Sequence, residues 1–452
     1  MLQQSESKIQ AHEQLEALST ALDSGSFVHV RQLLNSLPAA TIAHLLESSP
    51  HKSREVLWRL VAKENEGEVL GYLYEEIQSE ILNRLTPEEV ASLAEGLETD
   101  DLADILQQLP NQVINEVLLA MGEQDRARLE SVLSYPEDTA GGLMNTDTIT
   151  VRRSHTLDVV LRYLRRHDEI PSMTDNILVV SRDDHLVGLL PLRKILVSDP
   201  NKTVGEVMIT DFEAIPVNMP DNEVAQLFER MDWVSAPVIG EDGKLLGRIT
   251  IDDIVDVIRE DADHSFLSMA GLDEEDDAFA PVLKTAKRRA IWLGANLVTA
   301  FLAALVINRF SETIDQVVAL AVLMTIVASM GGVAGNQTLT LVIRAMALGQ
   351  IGRTNAIWLM WRELGVGILN GLLWAVVAAI IAIIWFDDNK LAYIFAGAMI
   401  VNLITAALSG AFLPLFLKRL KIDPALAGSV VLTTITDVIG FLSFLGLAAI
   451  FY

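Results

Sequence analysis

The chain has 452 residues, with 34 Lys and Arg against 60 Asp and Glu, no Cys, and 51% hydrophobic residues. A net charge of −26 is typical of an acidic soluble protein, whereas a mean hydropathy of +0.34 is typical of a membrane protein. The lack of Cys excludes disulfides, thiolate metal sites and cysteine catalysis. The acidic balance argues against a nucleic-acid partner, because nucleic-acid binding needs a basic surface.

The charge and the hydropathy belong to different parts of the chain. Residues 290–452 carry 8 Lys and Arg against 7 Asp and Glu, so residues 1–289 carry 26 basic and 53 acidic side chains. An acidic part of this kind attracts cations. The first 14 residues, MLQQSESKIQAHEQ, lack the apolar segment of a cleaved signal peptide. We therefore predict an acidic soluble part followed by a membrane part.

The N-terminal part contains a short repeat. Residues 85–133 repeat every 12 residues, with apolar or small side chains at the same offsets in each unit, and an earlier segment from Leu37 follows the same pattern. The pattern predicts short helices, separated by Pro or by Asp and Thr caps, that stack in a curved array. Such an array has no active-site pocket. Its acids, including Asp100, Asp101 and Asp104, form either a solvated face or a docking surface for cations.

From Met144 onward the pattern changes to alternating strands and helices. The segment Met144-Asn-Thr-Asp-Thr-Ile-Thr-Val recurs loosely 64 residues later as Met208-Ile-Thr-Asp-Phe-Glu-Ala-Ile-Pro-Val. Each copy predicts strand, helix, strand, hairpin, strand and helix over about 60 residues. This duplication resembles a tandem pair of CBS (cystathionine-β-synthase-type) domains with an α/β fold.

CBS pairs often bind adenosine nucleotides through a G-x-x-[ST]-x-x-D signature. The second copy matches it with Gly247, Thr250 and Asp253, whereas the first copy has Pro191 and Lys194 at the last two positions. The resemblance therefore implies at most one ATP site, in the second copy. The same short pattern is also typical of a helix capped by Thr, and this alternative stays open.

The chain is strongly acidic after the second copy. Eleven acids and one base, Arg259, lie within residues 252–277. On a helix, Asp253 and Asp256 share a face with Glu260, where like charges repel. The segment is either a solvated linker or a divalent-ion site beside the membrane. Mg²⁺ prefers oxygen ligands and keeps several waters, so loosely spaced carboxylates suffice for such a site.

Five apolar stretches follow, each long enough to cross a hydrocarbon core of about 30 Å at 1.5 Å per residue. They cover residues 290–308, 317–343, 364–386, 391–417 and 424–452. Ten basic residues flank these stretches on one side, against Arg309 and Lys390 on the other. Positive-inside bias predicts a multi-pass protein of the cell membrane, with the N-terminus and the acidic part in the cytoplasm and the C-terminus outside.

Asp437 interrupts the last apolar stretch. It lies 13 residues after Pro424, hence near mid-membrane, where a carboxylate costs roughly 2.5–3.5 kcal/mol. A cation site is the default interpretation of an intramembrane acid. The alternative is a protonated Asp437 that bonds to a neighbouring helix through Thr433, Thr434 or Thr436.

The second apolar stretch contains Ser329-Met-Gly-Gly-Val-Ala-Gly-Asn-Gln-Thr338. Its glycines permit a close helix approach or a local break. The amides of Asn336 and Gln337 are suited to ordering the water shell of an ion. Small-residue helix packing, with the amides as hydrogen-bonding glue, is the alternative.

Five motifs and the order of the parts point to one family. The motifs are Pro136-Glu-Asp-Thr-Ala-Gly-Gly-Leu-Met144, Gly335-Asn-Gln-Thr338, Arg362-Glu363, Lys418-Arg-Leu-Lys-Ile-Asp-Pro-Ala425 and Thr433-Thr-Ile-Thr-Asp437-Val-Ile-Gly440. Over nearly its whole length the chain resembles the MgtE-type magnesium transporters. The resemblance implies a multi-domain membrane protein with an α-helical solenoid N-domain, an α/β tandem CBS pair and a five-helix transmembrane domain.

The expected boundaries follow from that resemblance. They are 1–135 for the acidic helical-repeat N-domain, 136–260 for the CBS pair with copies at about 144–207 and 208–260, 261–284 for an acidic connecting (plug) helix, and 285–452 for the transmembrane domain. Expected partners are a second copy of the chain, membrane lipid and Mg²⁺.

The resemblance also implies a mechanism. A homodimeric, Mg²⁺-selective channel would import Mg²⁺ and hold it with Asp437 from both subunits, while Asn336 orders the waters of the hydrated ion. Cytoplasmic Mg²⁺ would close the channel by bridging acids of the soluble domains. Carried over position by position, these acids are Glu68, Asp100, Asp104, Asp232, Asp253, Asp256, Asp261 and Asp423.

The chain departs from the family pattern at two places. His264 and Ser265 stand where further acids of the connecting helix are expected, and Pro220 and Asn222 occupy an acidic stretch of the CBS pair. Asp221, Glu223 and Asp263 are candidates to replace the missing acids.

Three other functions remain open. A transporter of Co²⁺ or Mn²⁺ is disfavoured because no His or Met stands beside Asp437. A membrane enzyme would need Asp437 and Glu363 as an acid pair, but the two are predicted too far apart, so we predict no enzyme. The third is a carrier gated mainly by ATP.

Overall fold

The computed structural model describes residues 27–93, 97, 99–167, 170–272, 279–352 and 355–452. Three predicted features lie outside this part of the chain: the first 26 residues of the N-domain, the acids at 273–277, and Arg353, which is one of the ten basic residues that predict the orientation in the membrane. Internal contacts divide the chain into two units. The first comprises residues 1–261 and 277–280, and the second comprises 262–276 and 281–452.

Short helices build the N-terminal part of the first unit. They are α1 Phe27–Leu34, α2 Ala39–Glu47, α3 His51–Trp58, α4 Glu66–Gly71, α5 Glu75–Leu82, α6 Pro87–Leu93, α7 Thr99–Gln107, α8 Asn111–Ala120 and α9 Glu123–Val132. Neighbours in the stack are two apart in sequence, since α2 packs on α4, α6 on α8 and α7 on α9. Helices of this length are marginal alone, so their stability comes from shared packing. This is the predicted solenoid.

Two three-stranded sheets follow, with the same topology. The elements are β1 Thr150–Arg152, α10 Leu157–Leu164, β2 Asn176–Val180, β3 Leu186–Pro191, α11 Leu192–Val197, α12 Val204–Val207, β4 Ile215–Pro216, α13 Asp221–Met231, β5 Ser235–Ile239 and β6 Leu245–Thr250. In each sheet the first two strands are parallel and the last two antiparallel. The parallel pair with its crossover helix and the final hairpin agree with the predicted CBS duplication.

The two copies belong to different hydrophobic cores. The second copy shares one continuous core with the N-domain, in which Leu106 and Leu129 belong to the same cluster as Phe228 and Ile254. The first copy has a separate core, built around α10 and its own sheet. The junction after α9 fastens to the second copy, where the Ala140 amide donates to the Met219 carbonyl at 2.8 Å. The N-domain and the second copy are thus joined by both apolar packing and backbone hydrogen bonds.

The helix that carries the acidic segment is α14, Ile251–Ser268. It starts directly after β6, earlier than the predicted connecting helix at 261–284. That predicted segment therefore contains the last turns of α14 and, after residues outside the described part, the start of the first membrane helix.

The second unit consists mainly of long apolar helices. They are α15 Val282–Arg309, α17 Ala319–Ala347, α18 Ala356–Phe386, α19 Asn389–Arg419 and α20 Pro424–Phe451, and a short α16, Ser311–Gln316, follows α15. All but α16 are long and apolar enough to cross a membrane, and they are the five such helices found in the described residues. Helix α19 lies centrally and packs on α17, α18 and α20, whereas α15 packs on α20.

The glycine-rich segment of the second apolar stretch forms an unbroken helix. Helix α17 continues through Ser329–Thr338. A Cβ atom at Gly335 would lie 3.0 Å from the Leu432 side chain, and one at Gly410 would lie 2.7 Å from the Gly335 carbonyl oxygen. Side chains at these positions would force the helices apart, so the glycines permit the close approach of α17 to α19 and α20.

Candidate ion sites

Asp437 lies near the middle of α20, a helix of 28 residues. Its side chain is partly buried, and within the described residues its carboxylate makes no hydrogen bond or ion pair. The nearby Thr hydroxyls donate instead to backbone carbonyls of their own helix: Thr433 to Ser429, Thr434 to Val430 and Thr436 to Thr433. The geometry therefore gives no support to a protonated Asp437 held by these threonines.

Asn336 lies on α17, at a different height from Asp437. Helices α17 and α20 are antiparallel, because Gly335 contacts Leu432 while Leu339 contacts Gly428. Asn336 therefore lies opposite about residue 431 of α20. Asp437 is six residues beyond that position, which corresponds to about 9 Å along the helix axis at 1.5 Å per residue. Asn336 and Asp437 thus lie on two helices that pack together, but they differ in height by more than one helical turn.

Glu363 is a second acid within the described membrane helices. Unlike Asp437, it accepts hydrogen bonds. The residue is 4% exposed, and its carboxylate accepts from the Thr338 hydroxyl at 3.1 Å and from Arg362 Nη1 at 2.6 Å. Because Thr338 is opposite residue 429 or so, Glu363 and Asp437 differ in height by about 12 Å. They do not form an acid pair.

A cluster of carboxylates forms between α7, the junction after α9 and α14. Burial and then the negative charges of Glu137, Asp101, Asp253 and Glu260 raise the pKa of Asp104 well above its usual value. Burial also raises the pKa of Asp253 to about 7, and nearby acids add to that effect, while hydrogen bonds from Thr250 oppose it. Negative charge on these two carboxyl groups is thus disfavoured unless a proton or a cation neutralises it.

This acidic cluster does not form a set of direct metal ligands. Among the described residues, no three His, Asp or Glu side chains are close enough to ligate one metal ion directly. Mg²⁺ keeps several waters and is often held through one or two carboxylates. A Mg²⁺ ion at this cluster would therefore be held by at most two carboxylates, with water as its remaining ligands.

Two members of the cluster, Glu137 and Glu260, are absent from the acids predicted as ligands. The junction places Glu137, because Gly141 donates its amide to the Val217 carbonyl at 2.9 Å and so fixes the preceding turn. Glu260 follows Asp253 by seven residues, two turns along the same helix face. The sequence analysis already placed Glu260 on this acidic face by its spacing, although not among the acids carried over from the family, whereas Glu137 lies near Asp104 only through the tertiary fold.

The other predicted acids of the first unit lie in varied environments. Asp100 is 4% exposed, and its Oδ1 accepts from the Asp101 amide, so it is not on a solvated face. Glu68, Asp232, Asp256 and Asp261 are exposed. Asp232 ends α13 in the left-handed conformation with φ of 52°, which Asp tolerates better than most residues. A structural reason for Asp at that position is therefore present.

Asp423 belongs to the second unit and caps α20. Its carboxylate accepts from the amides of Ala425 at 2.9 Å and Leu426 at 3.3 Å, a typical N-cap arrangement. The same carboxylate pairs with His264 Nε2 at 3.1 Å. The residue that replaces an expected acid on the connecting helix thus contacts the predicted ligand directly.

The predicted nucleotide signature also has a local structural role. Thr250 is 2% exposed, and its hydroxyl donates to Asp253 Oδ2 at 2.8 Å, which also accepts from the Thr250 amide at 3.1 Å. A Cβ at Gly247 would lie 2.7 Å from the Asn145 carbonyl oxygen. Capping and close strand packing account for these residues.

The fold defines a multi-pass membrane protein, with a helical N-domain and a tandem α/β pair followed, among the described residues, by five helices long and apolar enough to cross a membrane. Family models match three regions: MgtE intracellular N domain at residues 37–138, CBS domain at 140–199 and 204–260, and divalent cation transporter at 324–447. The chain belongs to the MgtE family of magnesium transporters.

Individual relatives agree with this assignment. The chain is 31% identical to the magnesium transporter MgtE of Thermus thermophilus over 96% of this chain and 97% of the relative. It is 27% identical to the magnesium transporter MgtE of Bacillus subtilis, over 95% of each. A solved structure, the cytosolic domain of the Mg²⁺ channel MgtE in complex with ATP, matches 54% of this chain and 99% of its own length at 32% identity, with a TM-score of 0.50.

Proposed function

We propose that this protein is a homodimeric channel that imports Mg²⁺ and is closed by Mg²⁺ on the cytoplasmic side. The observation that carries the conduction step is Asp437, a carboxylate in the middle of a membrane helix that makes no hydrogen bond or ion pair within the described residues. A carboxylate costs several kcal/mol in that position unless an ion or water compensates it. Membership of a magnesium transporter family supports Mg²⁺ as that ion.

A dimer would supply the negative charge that a divalent ion requires. A single Asp437 carries one negative charge, whereas two on a common axis match one divalent ion, as acidic rings do in cation channels. Two carboxylates cannot complete an octahedron, so the ion stays largely hydrated. Asn336, about 9 Å away along the axis, would contact the same ion earlier or later on its path.

Gating follows from repulsion within the acidic cluster. Without a cation, burial and mutual repulsion destabilise the ionised forms of Asp104 and Asp253, which is why the pKa values of both are raised. Mg²⁺ removes that cost only in the closed arrangement, so it shifts the population towards closure. Glu68, Asp100, Asp232, Asp256, Asp261 and Asp423 are proposed as the remaining regulatory acids, and the positive-inside bias supports their cytoplasmic location.

Conduction is tested by flux into liposomes that contain the full-length protein. We expect Asp437→Ala and Asp437→Asn to reduce Mg²⁺ flux at least a hundredfold, because the ion loses the two carboxylates that are proposed to hold it in the membrane. Asp315→Asn, a change in the short helix α16, is the matched control and should leave flux near that of the wild type. Full Mg²⁺ flux through Asp437→Ala would refute the pore assignment.

Gating is tested by limited proteolysis. We expect millimolar Mg²⁺ to protect α14 in the wild-type protein, because the closed arrangement buries the helix face that carries the cluster. Asp104→Asn with Asp253→Asn should weaken protection by Mg²⁺. Equal cleavage rates with and without Mg²⁺ in the wild type would contradict a Mg²⁺ sensor.

ATP is proposed as a ligand of the CBS pair. The solved cytosolic domain with ATP supports this, whereas the buried Thr250 hydroxyl would be less accessible to a phosphate. Flux that follows ATP at fixed Mg²⁺ would favour the alternative of a carrier gated by the nucleotide. Co²⁺ or Mn²⁺ as the cargo is distinguished by competition in the same flux assay.

A further inference from the structure

Asn402 is the fully buried amide at the centre of the membrane unit. It lies on α19 with no exposed surface, and its Nδ2 donates to the Val327 carbonyl on α17 at 2.7 Å. Its Oδ1 has no hydrogen-bond partner within the described part of the chain. A buried polar atom without a partner destabilises the folded protein, and an apolar residue at this position would avoid that cost. Packing stability alone therefore does not explain an Asn here.

Two glycines on different helices make room for this amide. A Cβ atom at Gly331 on α17 would lie 2.2 Å from Asn402 Nδ2, and one at Gly440 on α20 would lie 2.9 Å from the same atom. Real Cβ atoms do not approach so closely, so neither helix could carry even Ala without movement. The Asn402 side chain is thus a spacer that α17 and α20 both contact.

The spacer lies at the height of the candidate pore acid. Gly440 is three residues beyond Asp437, which corresponds to about 4.5 Å along α20. Gly331 is on the helix that carries Asn336, five residues earlier. A change in the volume or hydrogen bonding of residue 402 would therefore shift both helices that bear the candidate ion ligands, close to the ion itself.

We propose that Asn402 is a positioning residue for ion selection. Its amide, anchored on the Val327 carbonyl, fixes the spacing and rotation of α17 against α20 at the height of Asp437. It thereby sets how far the Asp437 carboxylate projects and which hydrated divalent cation fits beside it. This inference rests on the proposed function, because that function makes Asp437 the ion site.

The test is a small-to-large and large-to-small exchange in the full-length protein in liposomes. Gly331→Ala places a methyl group on the amide, and Asn402→Ala creates a cavity, so each single variant should lower Tm. The double variant Gly331→Ala/Asn402→Ala places the methyl group in the space that the amide leaves, and it should recover most of the lost Tm. Gly365→Ala, where a Cβ meets nothing within 4 Å, is the matched control for both readouts.

Ion discrimination separates positioning from packing. We expect the double variant, with its Tm recovered, still to show a Mg²⁺ half-saturation concentration raised about tenfold and a reduced preference for Mg²⁺ over Ca²⁺, because the amide is absent. Recovery of both Tm and discrimination would show that residue 402 only fills space. Failure to recover Tm would refute the shared space of residues 331 and 402. Asp437→Ala is measured in parallel, since retained flux there removes the proposed function while the Tm results stand.

Discussion

Asp253 is placed where its negative charge is disfavoured. Burial is the largest cause of its raised pKa, about 7, and the neighbouring Asp252 and Asp101 act in the same direction. The carboxyl therefore binds its proton more tightly in the folded unit than in the unfolded chain, where its usual value is 3.8. The ion-free unit accordingly loses stability as the pH rises from about 4 to about 7, and the loss is complete above the folded pKa.

Asp253→Asn should remove much of this pH dependence. Without Mg²⁺ at pH 8, we expect the variant to have a higher Tm than the wild type, with a gain in unfolding free energy of a few kcal/mol at most, since a tenfold change in proton affinity corresponds to about 1.4 kcal/mol. At pH 4 the two should be similar. Asp211→Asn, on the exposed surface, is the control, and thermal unfolding of the ion-free protein at both pH values is the measurement. A variant with the wild-type pH profile would contradict the burial of charge at this residue.

At the level of secondary structure, α14 combines repulsion between its acids with an attractive contact to the N-domain. Its one Lys or Arg residue, Arg259, pairs with Asp256 at 3.4 Å and lies over the Tyr74 ring at 5.4 Å from the centroid. Tyr74 precedes α5, and its amide donates to Glu47 Oε1 at 3.2 Å. A guanidinium thus joins α14 to the helical N-domain without any metal ion.

Arg259→Ala should weaken closure without removing any of the proposed carboxylate ligands. A cation–π contact at an exposed site contributes about 0.5–1 kcal/mol, so we expect the Mg²⁺ concentration for half-maximal protection of α14 to rise about two- to fivefold. Arg259→Lys should have a smaller effect, and Arg230→Ala, an exposed residue of α13, should have none. A midpoint unchanged in Arg259→Ala, measured by the same proteolysis titration, would exclude this contact from gating.

The sequence predicted which helices and strands form better than it predicted where they begin and end or which of them lie side by side. The 12-residue repeat, the CBS duplication and the five apolar stretches each have a local signal, and each corresponds to elements that the structure contains. A helix that carries Asp253, Asp256 and Glu260 was predicted at the end of the second copy, but its continuity with the connecting helix across residue 261 was not, because an acidic helix has the same composition on both sides of that residue. The position of Glu137 beside Asp104 depends on how the junction folds back, and no local pattern encodes it.

At the scale of the whole molecule, the candidate pore was predictable in identity but not in geometry. An acid within an apolar stretch identifies Asp437, and the motif with Gly335 identifies Asn336. Their difference in height follows only from the packing of Gly335 against Leu432 and of Gly428 against Leu339. Asn402 gives no sequence signal of its own, since a single amide in an apolar helix is also typical of simple helix packing.

The separate core of the first CBS copy gives the two halves of the duplication different tolerance to mutation. Substitutions around Leu157, Val179 or Leu190 affect a cluster that includes no N-domain residue, whereas substitutions at Phe228 or Ile254 reach the helices that carry Asp104. A cavity in the first copy would thus loosen only that copy's own cluster, whereas a cavity in the second copy would also loosen the packing behind the acidic cluster. The two halves of the duplication therefore differ in how far damage to their cores would spread.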